Sequence, residues 1–152
     1  MTRIPAGRRS TCLELKIPRR LESPNTWNGR HWRVKYRLSQ TWEQEVIAAR
    51  MWTNRGVRSD VPFEECVNGL KRRPESIGLV RVEVERHVPS MRNYIRDDDN
   101  LRFAVKPLLD ALKRQGYIKD DSRKWLDHPT PTQHVSADGK SWTIVRISAA
   151  EH

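Results

Sequence analysis

Cysteine is scarce in this chain: two residues, Cys12 and Cys66, among 152. Without a Cys-x-x-Cys pair there is neither a disulfide framework nor a zinc-ribbon signature, and a reducing cytoplasm is the expected compartment. No segment approaches the ~20 consecutive apolar residues of a membrane span. No Gly-x-x-x-x-Gly-Lys-Ser/Thr loop occurs, which argues against P-loop nucleotide hydrolysis. No repeat with a period of about 20–50 residues is present, so a solenoid is excluded. The first ten residues are basic, yet they run into the polar-apolar alternation Thr11 to Lys16 rather than an apolar stretch. They are not expected to be an export signal, and Arg8-Arg9 is a poor twin-arginine candidate.

Acids are the minority charge, 19 Asp and Glu against 29 Lys and Arg, for a net charge of +10. The excess is concentrated: residues 1–37 hold ten basic residues and two acids, whereas 38–152 hold nineteen and seventeen. A basic end asks for an anionic partner, nucleic acid before membrane. A chain of this length buries roughly two thirds of its unfolded surface, enough for one core without metal or disulfide staples. We expect a basic, flexible segment over 1–11 and a single domain over 12–148. Residues 57–77 mix Pro62, Gly69 and Pro74 with charges in no clear period and read as an excursion of loop with at most one short helix.

Leu13, Leu15 and Ile17 alternate with polar residues, predicting a strand that stops at Pro18. His31 to Leu38 alternates as well, with Trp32, Val34, Tyr36 and Leu38 on one side and His31, Arg33, Lys35 and Arg37 on the other. This predicts an extended segment with one basic face. A helix capped by Ser39 or Thr41 is expected to follow, reaching about Asn54 with Trp42, Val46 and Ala49 inward. Val80, Val82 and Val84 predict the clearest strand, closed by Pro89. Asp98 to Arg114 predicts a second helix, with Leu101, Val105, Leu108 and Leu112 on its inner stripe and Gly116 as its stop. Trp142 to Ile147 predicts a final strand. Few strands and two main helices imply an α/β or α+β domain, a small mixed sheet covered by helices.

Asp97, Asp98, Asp99 and Asn100 stand at the head of the second helix, and Asp120-Asp121 follow some twenty residues on. One Asp at an N-cap stabilises a helix by about 1 kcal/mol, and acids in the first turn suit the helix dipole. Capping does not call for a third consecutive carboxylate. Mutual repulsion would be relieved by Mg²⁺, which prefers hard oxygen ligands. An EF-hand is excluded, because no phase of the run gives the required ligand spacing with Gly at the sixth position. On a helical projection with Asp97 at zero, Asp99, Lys106 and Asp110 fall at about 180–220°, opposite the apolar stripe. Lys106 can then be a solvated ion-pair partner or a phosphate ligand beside the acids. Pro107 makes the frame beyond it approximate.

The pattern Arg96-Asp-Asp-Asp-Asn-Leu101, Lys106 with Asp110-Ala-Leu112, and Gly116-Tyr-Ile-Lys-Asp-Asp121 resembles the signature of the RusA-type Holliday junction resolvases. Pro24-Asn25, Arg30-His31-Trp32-Arg33 and Trp42 resemble that family's N-terminal block, so the likeness spans about residues 12–147. Asp98, where the family often has an apolar residue, and the 57–77 stretch, which looks like an insertion relative to the family, depart from it. The resemblance implies a bacterial or prophage endodeoxyribonuclease, a homodimer that nicks four-way DNA junctions symmetrically with Mg²⁺, or Mn²⁺ as a substitute. By position it implies Asp97, Asp99 and Asp121 as the metal-binding carboxylates and Lys106 as the active-site lysine. No small-molecule cofactor and no membrane association are expected.

Phosphodiester hydrolysis needs an activated water, a stabilised leaving oxygen and neutralised transition-state charge, which carboxylate-held metal ions supply. Arg30, His31, Arg33, Lys35 and Arg37 are the candidate phosphate contacts, with Trp27, Trp32 or Tyr36 to stack on a base where strands part. The competing reading is a non-catalytic basic DNA-binding protein, either a binder of branched DNA or a regulator whose acids are only caps and surface.

Overall fold

In a computed structural model, which describes residues 13–27, 29–53 and 79–149, the alternating segments become strands of one sheet. The order along the chain is β1 (Leu13–Ile17), α1 (Trp32–Thr53), β2 (Val80–Val88), α2 (Asp98–Ala104), α3 (Lys106–Arg114), β3 (Leu126–Asp127), β4 (Thr132–Val135) and β5 (Trp142–Ala149). The basic segment 1–11 and the 57–77 stretch lie outside the described residues. Among the described residues the fold is α+β: a mixed five-stranded sheet and its helices form a single domain. No described helix is long and apolar enough to cross a membrane.

β5 lies between β1 and β2 and pairs antiparallel with both. β2 carries two short parallel partners on its other edge, β3 against its start and β4 against its end. Leu15, Ile17, Val80, Val82, Val84, Val145 and Ile147 all turn to the same side and are buried, as a period of two dictates. Leu38, Trp42, Val46 and Ala49 of α1 and Leu101, Leu108 and Leu112 of α2 and α3 close over them in one core. Fully burying one such side chain stabilises the fold by about 1.5–3 kcal/mol. Arg114 fastens α3 to α1 by donating to Glu43 (2.6 Å) and to the Ser39 carbonyl (3.1 Å).

Two expectations are corrected here. His31 to Leu38 is not extended; α1 begins at Trp32 and runs without a break through the expected helix to Thr53. His31 Nδ1 accepts the Arg33 N–H at 3.3 Å and so works as the cap. Thr41, expected as a cap, instead donates its hydroxyl to the Arg37 carbonyl at 2.9 Å, the habit of a hydroxyl inside a helix. The second helix is divided at Val105, which ends α2 and opens α3. Pro107 thereby falls in the first turn of α3, where its missing N–H costs nothing.

Gly116 does end α3 as expected. Its φ is +79°, and the chain closes with Tyr117 N–H to Leu112 O at 3.0 Å and Gly116 N–H to Lys113 O at 3.1 Å. Tyr117 and Leu112 are both buried, the apolar contact that accompanies this closure.

Candidate active site

α2 starts where the sequence places it, because Asp97 is an extended residue whose carboxylate accepts the Asn100 N–H at 3.0 Å. Asp98 and Asp99 occupy the first turn. All three acids are exposed, and none makes an ion pair among the described residues. A single cap is satisfied, and two further negative charges stand uncompensated.

Asp97 also borders a cleft of about 420 Å³. Its other walls include Arg20, Asn25, Arg86, Arg96 and Asn100. The turn Pro24–Thr26 packs on α2, and Trp27 stacks on Phe103 with centroids 6.0 Å apart. The two sequence blocks that carry the resemblance are therefore neighbours in space. Trp27, buried in that stack, is not available to a DNA base.

Arg86 is the residue that sequence reasoning missed here, although its signal was present. It occupies an inward position in the β2 run Val80, Val82, Val84, Arg86, Val88, and it is buried. Its guanidinium donates to Leu21 O (2.8 Å), Asn93 O (2.6 Å) and Gln133 Oε1 (3.1 Å), all neutral oxygens. Burial, with the like charge of Arg20, lowers its pKa to about 10. Among the described residues it has no carboxylate partner, and it lies beside an open cleft.

Gln133, on the unannounced strand β4, braces the segment that leads to Asp97. Its Oε1 accepts the Ile95 N–H at 2.9 Å, and its Nε2 donates to the Ile95 carbonyl at 2.9 Å.

Lys106, the first residue of α3, sits between two acids. Its Nζ is 3.2 Å from Asp110 Oδ1, the pair expected from the helical projection, and it also donates to Asp121 Oδ2. Burial lowers the pKa of this ammonium, but the hydrogen bond to Asp121 and the charge of Asp110 outweigh it and hold the pKa above the ordinary lysine value. Asp121 is thus neutralised within the fold. Asp97, Asp99 and Asp121 do not converge on one point; among the described residues the one trio of metal-capable side chains with donor atoms within 4.8 Å is Glu85, His87 and His134. Asp120 pairs with Lys113 at 3.0 Å, and chiefly this hydrogen bond, with one from the Asp121 backbone, depresses its pKa to about 2.

Arg30, His31, Arg33, Lys35 and Arg37 are all exposed. Arg30 and the cap His31 precede α1, and the three on the helix do not share one face: Arg33 and Arg37 lie within about 40° of each other, and Lys35 is roughly opposed to them. The first turn of α1 holds no acid, so these cations add to the positive end of the helix dipole. Trp32 and Tyr36, one turn apart, are 63% and 54% exposed. No protein-family model and no curated protein matches the sequence.

Proposed function

We propose that the chain is a Mg²⁺-dependent endodeoxyribonuclease of the RusA type that resolves four-way or otherwise branched DNA as a cytoplasmic homodimer. The observation that carries this reading is the cleft beside Asp97. There Asp97, the first acid of the run, shares the lining with Arg20, Arg96 and the buried Arg86, whose hydrogen-bond partners are neutral oxygens. A phosphodiester brings negative charge to satisfy the arginines, and the acids need a cation.

Asp97, whose carboxylate also caps α2, and Asp99 carry two exposed negative charges at a helix start and suit a hydrated Mg²⁺, which keeps several of its waters. Asp121, which stands apart from these two in the structure, would complete the set only if the three carboxylates drew together around the ion as Lys106 turned to a phosphate oxygen. When bound, the ion supplies Lewis-acid activation of water and of the leaving oxygen. Arg86 and Arg20 would orient the phosphate, and Lys106 would neutralise charge that develops on it. The exposed cations at the start of α1 would hold the flanking backbone, while Trp32 and Tyr36 offer faces for unpaired bases.

The second reading, a protein that binds branched DNA without cutting it, is favoured by two observations: Asp97 serves as a cap and Asp121 is tied to Lys106. Incubating synthetic four-way junction and matched linear duplex with and without Mg²⁺ separates the two. Paired nicks in the junction that require Mg²⁺ support the nuclease. Tight junction binding with intact strands at every Mg²⁺ concentration supports the binder.

A further inference from the structure

Strand geometry assembles a second group of side chains on the polar side of the sheet. Residues two apart on a strand share a face, so Glu85 and His87 project together from β2, opposite the inward Val84 and Val88. The parallel register sets Glu85 against Thr132 and His87 against His134. Four side chains therefore meet: Glu85, His87, Thr132 and His134.

Their donor atoms point at one another. Glu85 Oε1 lies 3.0 Å from His87 Nε2 and 3.9 Å from His134 Nε2, and the three atoms are all within 4.8 Å. The imidazoles stack with centroids 4.7 Å apart, and His87 lies flat on Trp142 at 3.7 Å. Those contacts fix the rings. The other oxygen of Glu85 accepts from Arg146, which orients the carboxylate as an outer partner does in metal sites. Arg146 in turn donates to Glu14 at 2.9 Å, which offsets its charge.

We propose that Glu85, His87 and His134 form a binding site for a borderline divalent transition-metal ion, Zn²⁺ or Co²⁺, that ties β4 to β2. Bonds of about 2.0–2.2 Å to nitrogen and oxygen in a tetrahedral site put donors about 3.3 Å apart, between the two distances to Oε1. Two nitrogens with one carboxylate suit these ions and not Mg²⁺. Thr132 Oγ1, 2.9 Å from His134 Nε2, or a water takes the fourth position. The site does not depend on the nuclease reading. It bears on the fold because Gln133, between Thr132 and His134, braces the segment before Asp97. An ion on β4 would thus stiffen the strand that supports the head of α2.

The test is titration of the full-length protein with Zn²⁺ by calorimetry, alongside His134→Ala and Glu85→Gln. The His134 side chain is 44% exposed, so its truncation spares the core. Expected are a site for one ion in the wild type and a loss of roughly tenfold or more in affinity in each variant. Zn²⁺ should also raise the melting temperature of the wild type and not of His134→Ala. Co²⁺ should quench the indole that lies on His87, and Trp142→Phe should remove that part of the quenching. Zn²⁺ binding of unchanged strength in His134→Ala, or no binding to the wild type, overturns the proposal.

Discussion

Asp97 caps α2 and is proposed to hold a metal, two tasks with different chemical demands. The cap needs an oxygen that accepts the Asn100 N–H, which asparagine supplies as well as aspartate. A metal needs the charge. Asp97→Asn should leave the melting temperature nearly unchanged and abolish Mg²⁺-dependent nicking. Asp97→Ala should lose nicking and about 1 kcal/mol of stability as well. Denaturant melts run beside junction assays distinguish the two losses, and full cutting by Asp97→Asn would remove this residue from the site. Lys106 poses the opposite case. Its partners are partly exposed, so the pairs contribute at most about 1 kcal/mol. Lys106→Ala should therefore slow cleavage by orders of magnitude while melting changes little; a large stability loss with normal specific activity would make it a structural residue only.

Elements with a buried face were legible in the sequence. β1, β2 and β5 follow their alternation because every second residue enters the core, and the inner stripe of α2 and α3 was visible for the same reason. The start of α1 was not. Trp32, Val34 and Tyr36 are exposed although apolar, so no burial enforces a period there and the apparent alternation carried no structural information. The helical spacing takes hold only at Leu38. β3 and β4 are too short to show a pattern, and with β4 the partnership of His87 and His134 stayed hidden. The acidic run and Lys106 were found because their residue types are unusual, while Arg86 was passed over inside a strand that otherwise read as plain core. At the end of α3, Gly116 has open space around it, so the penalty of a side chain comes from its positive φ alone. Gly116→Ala should cost about 1–2 kcal/mol in a thermal or denaturant melt, and Gly116→Asn less.

Across the whole molecule the charge of +10 is gathered toward the N-terminal part of the sequence, and the helical form of residues 32–37 changes how it must be tested. Arg33 and Arg37 form one edge and, in the proposed complex, would reach the same DNA backbone, whereas Lys35 lies on the other side of the helix. Replacing both arginines by alanine should weaken junction and duplex binding alike and flatten the slope of log K against log salt by up to about 0.9 per lost phosphate contact. Lys35→Ala alone should change it less. Equal slopes in wild type and the double variant, measured by fluorescence anisotropy, would move the DNA surface off α1. The sheet carries a further consequence, for the order in which the molecule can be made. Among the described residues β1 has β5 as its only neighbour, and more than a hundred residues separate them. As the chain leaves the ribosome, Leu13–Ile17 must wait without its ladder until residues 142–149 have emerged, although α1 can already coil and β2 can gather β3 and β4. Closure of the sheet is thus a long-range event that cannot begin before β5 has emerged, and a slow step in folding compared with the helices.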